Sequence, residues 1–227
     1  GGAIIDGSAS TMNITQCTIA SNTAITQGGG IDLRAATMNM KNTILAGNTS
    51  PSGANYYNED GGTLLSGGYN LCDGALAEFS SIGDITSATL NIGVLADNGG
   101  ATQSHELLAG SDAINAIPEG GNNFNGAPVI DQRGISRPQG NNVDIGAFEL
   151  VVEIPGLWTG ATDSDWSTAS NWDDGNVPNG TVDVTIPSGC GNYPVIDEAA
   201  VCQDITIQNG GTVTIDIGSS INVSGDF

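Results

Sequence analysis

Several side chains are of types that do chemistry. Asp163, Asp165, Asp173 and Asp174, with Asn171 among them, supply the hard oxygens that calcium takes, about six to eight at a time. Their spacing fits no EF-hand loop, and a solvated acidic loop is the alternative. No cofactor other than that calcium is expected. Cys190 and Cys202, with eleven residues between them, can close a small disulfide loop in an oxidising compartment. None of the four cysteines forms a CxxC pair, which argues against a zinc site or a redox motif, and Cys17 and Cys72 carry no pairing expectation. Arg133 and Arg137 lie close to Asp131, Asp144 and Glu149 in sequence, and a guanidinium pairs with carboxylates through a planar fork. These five are expected to form an internal clamp holding residues 131–149 to the rest of the fold, with anion binding as the alternative.

His105 is the sole histidine. The chain has no Gly-x-Ser-x-Gly elbow that would make it a triad base, so a neutral imidazole bonded inside its domain is expected. Trp158, Trp166 and Trp172 fall within fifteen residues of one another. Exposed, they would form a sugar-stacking platform; buried, they would fill the core of a small module, which is the expectation.

The elements that must position these groups show in the repeats. Ser10-Thr-Met-Asn-Ile-Thr-Gln-Cys-Thr-Ile-Ala-Ser-Asn-Thr-Ala24 aligns with Ala36-Thr-Met-Asn-Met-Lys-Asn-Thr-Ile-Leu-Ala-Gly-Asn-Thr-Ser50 at an offset of 26, and Gly1-Gly-Ala-Ile4 aligns with Gly28-Gly-Gly-Ile31 at 27. A fixed period of this length marks a solenoid, and apolar/polar alternation broken by Gly or Asn gives several short strands per repeat. The fold expected is all-β: a right-handed parallel β-helix (solenoid) followed by a second β-rich module. Ile14, Ile19, Ile31, Met38, Met40, Ile44 and Leu45 are expected inside, and Asn22 and Asn48 are expected to stack as a ladder at a corner. Ile205-Thr-Ile207, Val213-Thr-Ile215 and Ile221-Asn-Val223 recur every eight residues and read as further coils. Residues 73–150 are less periodic, with Ala75-Leu-Ala-Glu-Phe79 the one place for a helical turn, and Val151-Val-Glu-Ile-Pro155 reads as a junction.

With 25 acidic and four basic residues in 227, the net charge is −21. Phosphate polymers and anionic membrane would meet a repelling field with almost no cations to displace counterions, so neither is an expected partner. There is no apolar run long enough to span a membrane and no basic leader ahead of an apolar stretch. The chain starts within one repeat and stops within another, and it reads as a fragment whose open ends, residues 1–5 and 213–223, would pair with more of a longer chain or with another copy, end to end, as in a filament.

Ile92-Gly-Val-Leu-Ala-Asp-Asn-Gly-Gly-Ala-Thr-Gln-Ser-His-Glu-Leu-Leu-Ala-Gly-Ser111, Asp131-Gln-Arg-Gly-Ile-Ser-Arg-Pro138 and Asp144-Ile-Gly-Ala-Phe-Glu149 closely resemble the choice-of-anchor Q domain of bacterial surface proteins. The preceding repeats are similar to those of polymorphic outer-membrane proteins, and the likeness covers about the first two-thirds of the chain. Where that family has Gly-Ser-Pro-Ala-Ile-Asp, this chain has Gly110-Ser-Asp-Ala-Ile-Asn115, so the family's Asp has no counterpart. The resemblance implies a right-handed β-helix at the cell exterior, tethered by an anchor that varies, and no reaction. Leu157-Trp-Thr-Gly160, Asp165-Trp166, Asn171-Trp172 and Gly175-Asn-Val-Pro178 resemble, less specifically, a module of secreted Bacteroidetes proteins, which implies a type IX secretion setting.

The domains expected are therefore 1–150, a β-helix with a choice-of-anchor Q-like C-terminal portion; 151–156, a junction; and 157–227, a Trp-containing β-repeat module. Many β-helices act on polysaccharides. A lyase needs a cationic base beside carboxylate-held calcium, and a hydrolase needs clustered aspartates with His and a cation. Arg34 and Lys41 with Asp6 and Asp32 come nearest, yet the chain has no Gly-His-Gly or Arg-x-Lys element. The expected function is a non-catalytic extracellular surface, structural or adhesin segment. A lyase- or hydrolase-like β-helix and a carbohydrate-binding module are the alternatives, and carbohydrate is the further partner considered.

Overall fold

A computed structural model describes residues 2–7, 10–119, 123–140 and 142–226. The chain is all-β and divides into two compact units, Gly1–Val151 and Val152–Phe227. Among the described residues no helix is long and apolar enough to cross a membrane.

Unit 1 begins with nine short strands: β1 (Ile4–Asp6), β2 (Thr11–Thr15), β3 (Thr18–Ala20), β4 (Ile31–Arg34), β5 (Thr37–Lys41), β6 (Ile44–Ala46), β7 (Tyr56–Glu59), β8 (Thr63–Ser66) and β9 (Leu71–Cys72). They form three parallel sheets, β1-β4-β7, β2-β5-β8 and β3-β6-β9, so each pass of the chain gives one strand to each sheet. Thr11 pairs with Thr37 and Thr37 with Thr63, while Met12 pairs with Met38 and Asn13 with Asn39. The register is therefore the offset read from the sequence. The other sheets absorb small differences: Ile4 pairs with Ile31 and Ile31 with Tyr56.

The corners between strands need left-handed backbone. Gln16, Asn42 and Gly68 have φ of 54°, 53° and 94° and lie in one column of the register. Asn and Gly take this conformation at least cost, whereas Gln is held there by context. Inside, Ile14, Ile19, Ile31, Met38, Met40 and Leu45 form one core with Leu33, Leu64 and Phe79, while Ile44 belongs to a second core with Leu71, Ile117, Ile145 and Phe148.

Residues beyond β9 cover its edge. Cys72 N–H donates to the Ile85 carbonyl, Ile85 N–H donates to the Asn70 carbonyl, and Phe79 is buried in the first core. Ala75–Phe79 makes a single turn, Phe79 N–H donating to the Leu76 carbonyl, and the helical segments among the described residues lie instead at Asn123–Gly126 and Ala169–Asn171. The outer edge of β9 is thus covered by the chain itself, while β1, β2 and β3 are end strands of their sheets; Gly1, part of the expected open end, lies outside the described residues. An antiparallel pair, β10 (Ile92–Ala96) and β11 (Ser104–Leu107), follows.

Unit 2 contains β12 (Val184–Ile186), β13 (Val195–Ile196), β14 (Ala199–Cys202), β15 (Ile205–Ile207), β16 (Thr214–Ile215) and β17 (Ser220–Val223). They pair in parallel as β12-β15, β13-β16 and β14-β17. The eight-residue recurrence therefore does not count coils. It counts the three successive strands β15, β16 and β17 of a single pass, and the step between passes is longer: Val184 pairs with Ile205, Val195 with Thr214 and Ala199 with Ser220. Alternation reports where strands are, and only pairing reports which strands repeat.

Candidate functional site

The most connected polar cluster of unit 1 is built on residues 131–149. Arg137 Nη1 donates to Glu149 Oε2 at 2.6 Å and to the Asp144 carbonyl at 3.1 Å, and Nη2 donates to the Gly146 carbonyl at 2.8 Å. Arg133 pairs with Asp131 at 2.7 Å, donates to the Glu149 carbonyl, and lies over the Phe148 ring at 3.5 Å. Asp131 also accepts from the N–H groups of Arg133, Ile135 and Glu149, and Asp144 from those of Asn115 and Leu150.

Burial pushes the Asp144 and Glu149 carboxyls above their usual range and lowers Arg137. For Asp131, burial pushes upward too, but the donors converging on it outweigh that and hold it below the usual range.

This cluster is fastened to the strands. Gln16 Nε2 donates to the Asp144 carbonyl, Gly146 N–H to the Asn42 carbonyl at 3.0 Å, and Ala147 N–H to Thr18 Oγ1 at 3.1 Å. Arg133, Arg137, Asp131, Asp144 and Glu149 thus sit together with their charges turned on one another. The other two cations are likewise engaged: Arg34 with Asp32 and Glu59, and Lys41 Nζ with the Asn125 carbonyl at 3.1 Å.

Asn22 and Asn48 meet across successive passes. Asn48 Oδ1 accepts from Asn22 N–H at 2.9 Å and Asn22 Nδ2 at 3.0 Å, and Asn48 Nδ2 donates to the Ile19 carbonyl and to Asn55 Oδ1. His105 Nδ1 lies 2.8 Å from the Gly93 carbonyl within the β10-β11 pair, which makes Nδ1 the protonated nitrogen.

Among the described residues, unit 1 carries a groove and a cleft. A groove of 370 Å³ crosses the β2-β5-β8 sheet, lined by Asn13, Asn39, Lys41, Leu65 and Ser66 among others. Its one charged side chain is Lys41, and no carboxylate lines it. A cleft of 390 Å³ lies between the Thr15–Thr18 corner and residues 128–132, with Arg137 and Ala147 also in its wall. Gln16, in the lining of that cleft, escaped the sequence reading, although its place in the offset-26 column with Asn42 was available as a signal.

In unit 2 the acidic residues do not assemble as a calcium site: among the described residues no group of three or more His, Cys, Asp or Glu is placed to hold a metal. One oxygen of each accepts from a nearby donor. Asp163 Oδ1 accepts from Asp165 N–H and Asn171 Nδ2, Asp165 Oδ1 from Ser167, Asp173 Oδ2 from Ile154 N–H and Asp174 Oδ1 from Asn176 N–H. Asn171, fully buried, turns its own Oδ1 to the N–H groups of Thr162 and Asp163.

The Cys190–Cys202 disulfide is also absent. All four cysteines are free thiols. The Cys190 thiol approaches the Pro187 carbonyl at 3.6 Å, while Cys202 is an inward residue of β14 at 0% exposure.

The three tryptophans are core. Trp158, Trp166 and Trp172 are 0%, 3% and 2% exposed and pack edge to face, with centroids 5.0 and 4.7 Å apart. A flat stacking platform is therefore not offered to a sugar.

Residues 157–226 match the model of a family described as a domain of unknown function (DUF8693). No curated protein and no solved structure matches the chain.

Proposed function

We propose that the chain is a non-catalytic segment of an extracellular bacterial surface protein, structural or adhesive in role. In this reading unit 1 is a right-handed parallel β-helix of the choice-of-anchor Q and polymorphic outer-membrane-protein kind, and unit 2 is a secreted β-repeat module from a type IX secretion setting. The observation that carries the reading is the in-register stacking of Thr11, Thr37 and Thr63 and their neighbours in three parallel sheets. Such stacking makes a scaffold whose length grows pass by pass with its cross-section unchanged.

The cation arrangement supports a role other than acidic-polysaccharide cleavage. All four basic side chains bond within the protein, and the β2-β5-β8 groove brings no carboxylate to Lys41. The end strands β1, at the expected open end of residues 1–5, and β16 and β17, at that of 213–223, offer strand edges, and we read them as places where more of a longer chain or a second copy adds on.

Antibody against the chain tests the location. Intact cells of the source organism should label without permeabilisation, and labelling that requires permeabilisation overturns the surface assignment. A reducing-end and unsaturated-uronate assay on neutral and acidic polysaccharides tests the role, and catalytic release of either product overturns it. Sedimentation over a range of concentration tests self-association, which is expected to raise the mass.

A further inference from the structure

Four asparagines are followed directly by glycine: Asn98, Asn125, Asn179 and Asn209. In that dipeptide the carboxamide carbon lies within reach of the next backbone nitrogen, and glycine has no Cβ to obstruct the approach. Attack by that nitrogen closes a succinimide ring, so each pair carries both halves of a reaction on one short piece of chain. The four differ in how their reacting groups are held.

Asn98 Nδ2 donates to the Ser104 carbonyl at 2.8 Å, and Gly99 N–H donates to Asp97 Oδ1 at 3.2 Å. Asn125 Nδ2 donates to Asn42 Oδ1 at 2.8 Å and to the Gly67 carbonyl at 3.1 Å. Asn179 Oδ1 accepts from Thr181 N–H at 2.9 Å and from Thr181 Oγ1 at 2.7 Å. In each of these the carboxamide must give up hydrogen bonds before it turns toward the next nitrogen.

Asn209 is different. It is exposed in the turn between β15 and β16, and its side chain makes no hydrogen bond among the described residues. The turn is fixed by Gly211 N–H donating to the Gln208 carbonyl at 2.7 Å and by Tyr193 Oη donating to the Gly210 carbonyl at 3.0 Å. Neither bond uses the reacting atoms, and the Gly210 N–H donates to no group among the described residues. Of the four pairs, this one leaves both carboxamide and nitrogen unbonded.

We propose that Asn209 is a self-modification site, converted by the Gly210 nitrogen into aspartate and isoaspartate. The Gly210 N–H gives its proton to solvent base, and the nitrogen bonds to Asn209 Cγ. The Cγ–Nδ2 bond breaks, and the amide nitrogen takes up a proton and leaves as ammonia. Water then opens the succinimide at either carbonyl. One opening leaves aspartate; the other leaves isoaspartate, in which the main chain runs through the former side chain. Water is consumed, ammonia is released, and nothing is oxidised or reduced. The product adds a negative charge to a unit that contains no Lys or Arg. The inference stands apart from the surface-protein reading.

The test incubates the full chain in heavy-oxygen water at mildly alkaline pH and follows the four sites by peptide mass spectrometry, with isoaspartate scored by an isoaspartyl methyltransferase. Asn209 should convert several-fold faster than Asn98, Asn125 or Asn179, take up heavy oxygen, yield both acids and speed up as pH rises. Asn209→Gln, an exposed change, should remove the signal from that peptide at an unchanged unfolding midpoint. In denaturant the four sites of the parent chain should approach one rate.

Conversion of Asn209 no faster than that of the other three overturns the proposal. Aspartate without isoaspartate also overturns it, since that is the mark of direct hydrolysis. So does a preference for Asn209 that persists undiminished in denaturant, because it would then belong to the neighbouring sequence and not to the fold.

Discussion

Arg137 Nη1 lies 2.6 Å from Glu149 Oε2, and both side chains are 1% exposed. A pair so completely withdrawn from water gains Coulomb energy but forfeits hydration, and burial raises Glu149 and lowers Arg137 accordingly. The pair's value therefore lies in what it positions: the Asp144 and Gly146 carbonyls on one side, and the Gln139 and Asp144 N–H groups on the other.

Arg137→Met should destabilise unit 1 by about 3–5 kcal/mol, because it strands a buried carboxylate. Adding Glu149→Leu should recover part of that loss and not all, since the Gln139 and Asp144 N–H groups then lack an acceptor. Urea unfolding of the three proteins measures the difference, and full additivity would contradict the coupling.

The same cluster sets two opposite pH dependences. Asp131, held below its ordinary range, contributes stability that is present above that range and lost as pH falls through its lowered folded value. Asp144 and Glu149, raised by burial, contribute stability that is present below their ordinary range and lost as pH rises through their raised values. Asp131→Asn should flatten the acid limb of the midpoint-versus-pH curve, and Glu149→Gln should flatten the decline that sets in as pH rises above the ordinary carboxylate range. Thermal unfolding across a pH series checks both signs.

Asn48→Ala should cost about 2–4 kcal/mol, since it removes the acceptor of the Asn22 N–H and the donor to the Ile19 carbonyl. Asn48→Asp keeps the acceptor and should lose less. Comparing the two by chemical denaturation identifies the polar contacts, and not side-chain volume, as the source.

Calcium should leave the unfolding midpoint of unit 2 unchanged, because among the described residues no three carboxylates are grouped to hold a metal. Asn171→Ala should lower it strongly, since the N–H groups of Thr162 and Asp163 lose their acceptor. Differential scanning calorimetry with and without calcium or chelator decides the first, and a calcium-dependent rise would restore the metal site.

Thiol titration in denaturant without reductant should count four groups, matching the four free cysteines. A count of two would reinstate the Cys190–Cys202 link.

Legibility varied with how far a contact reaches along the chain. Thr11-Met12-Asn13 and Thr37-Met38-Asn39 displayed their register because both rows carry the same residues. The third row, Thr63-Leu64-Leu65, keeps only the threonine, so the pass containing β7, β8 and β9 was not visible as a repeat. The arginine cluster was readable because carboxylates and guanidiniums sit close in sequence. Gln16 was not, because its partner is the carbonyl of Asp144, 128 positions away. The calcium expectation failed for a local reason: Asp163, Asp165 and Asp174 each bond the N–H two residues onward, the habit of aspartate at turns.

The column formed by Gln16, Asn42 and Gly68 has a consequence for how such a gene can change. Each of these residues bends the backbone to the same hand at the same point of its pass, so a crossover between the codons for any two of them joins chain segments that already share a conformation. Unequal recombination there would duplicate or delete one whole pass without disturbing the turns on either side, and the column marks the seam along which the protein can be lengthened or shortened in a single genetic event.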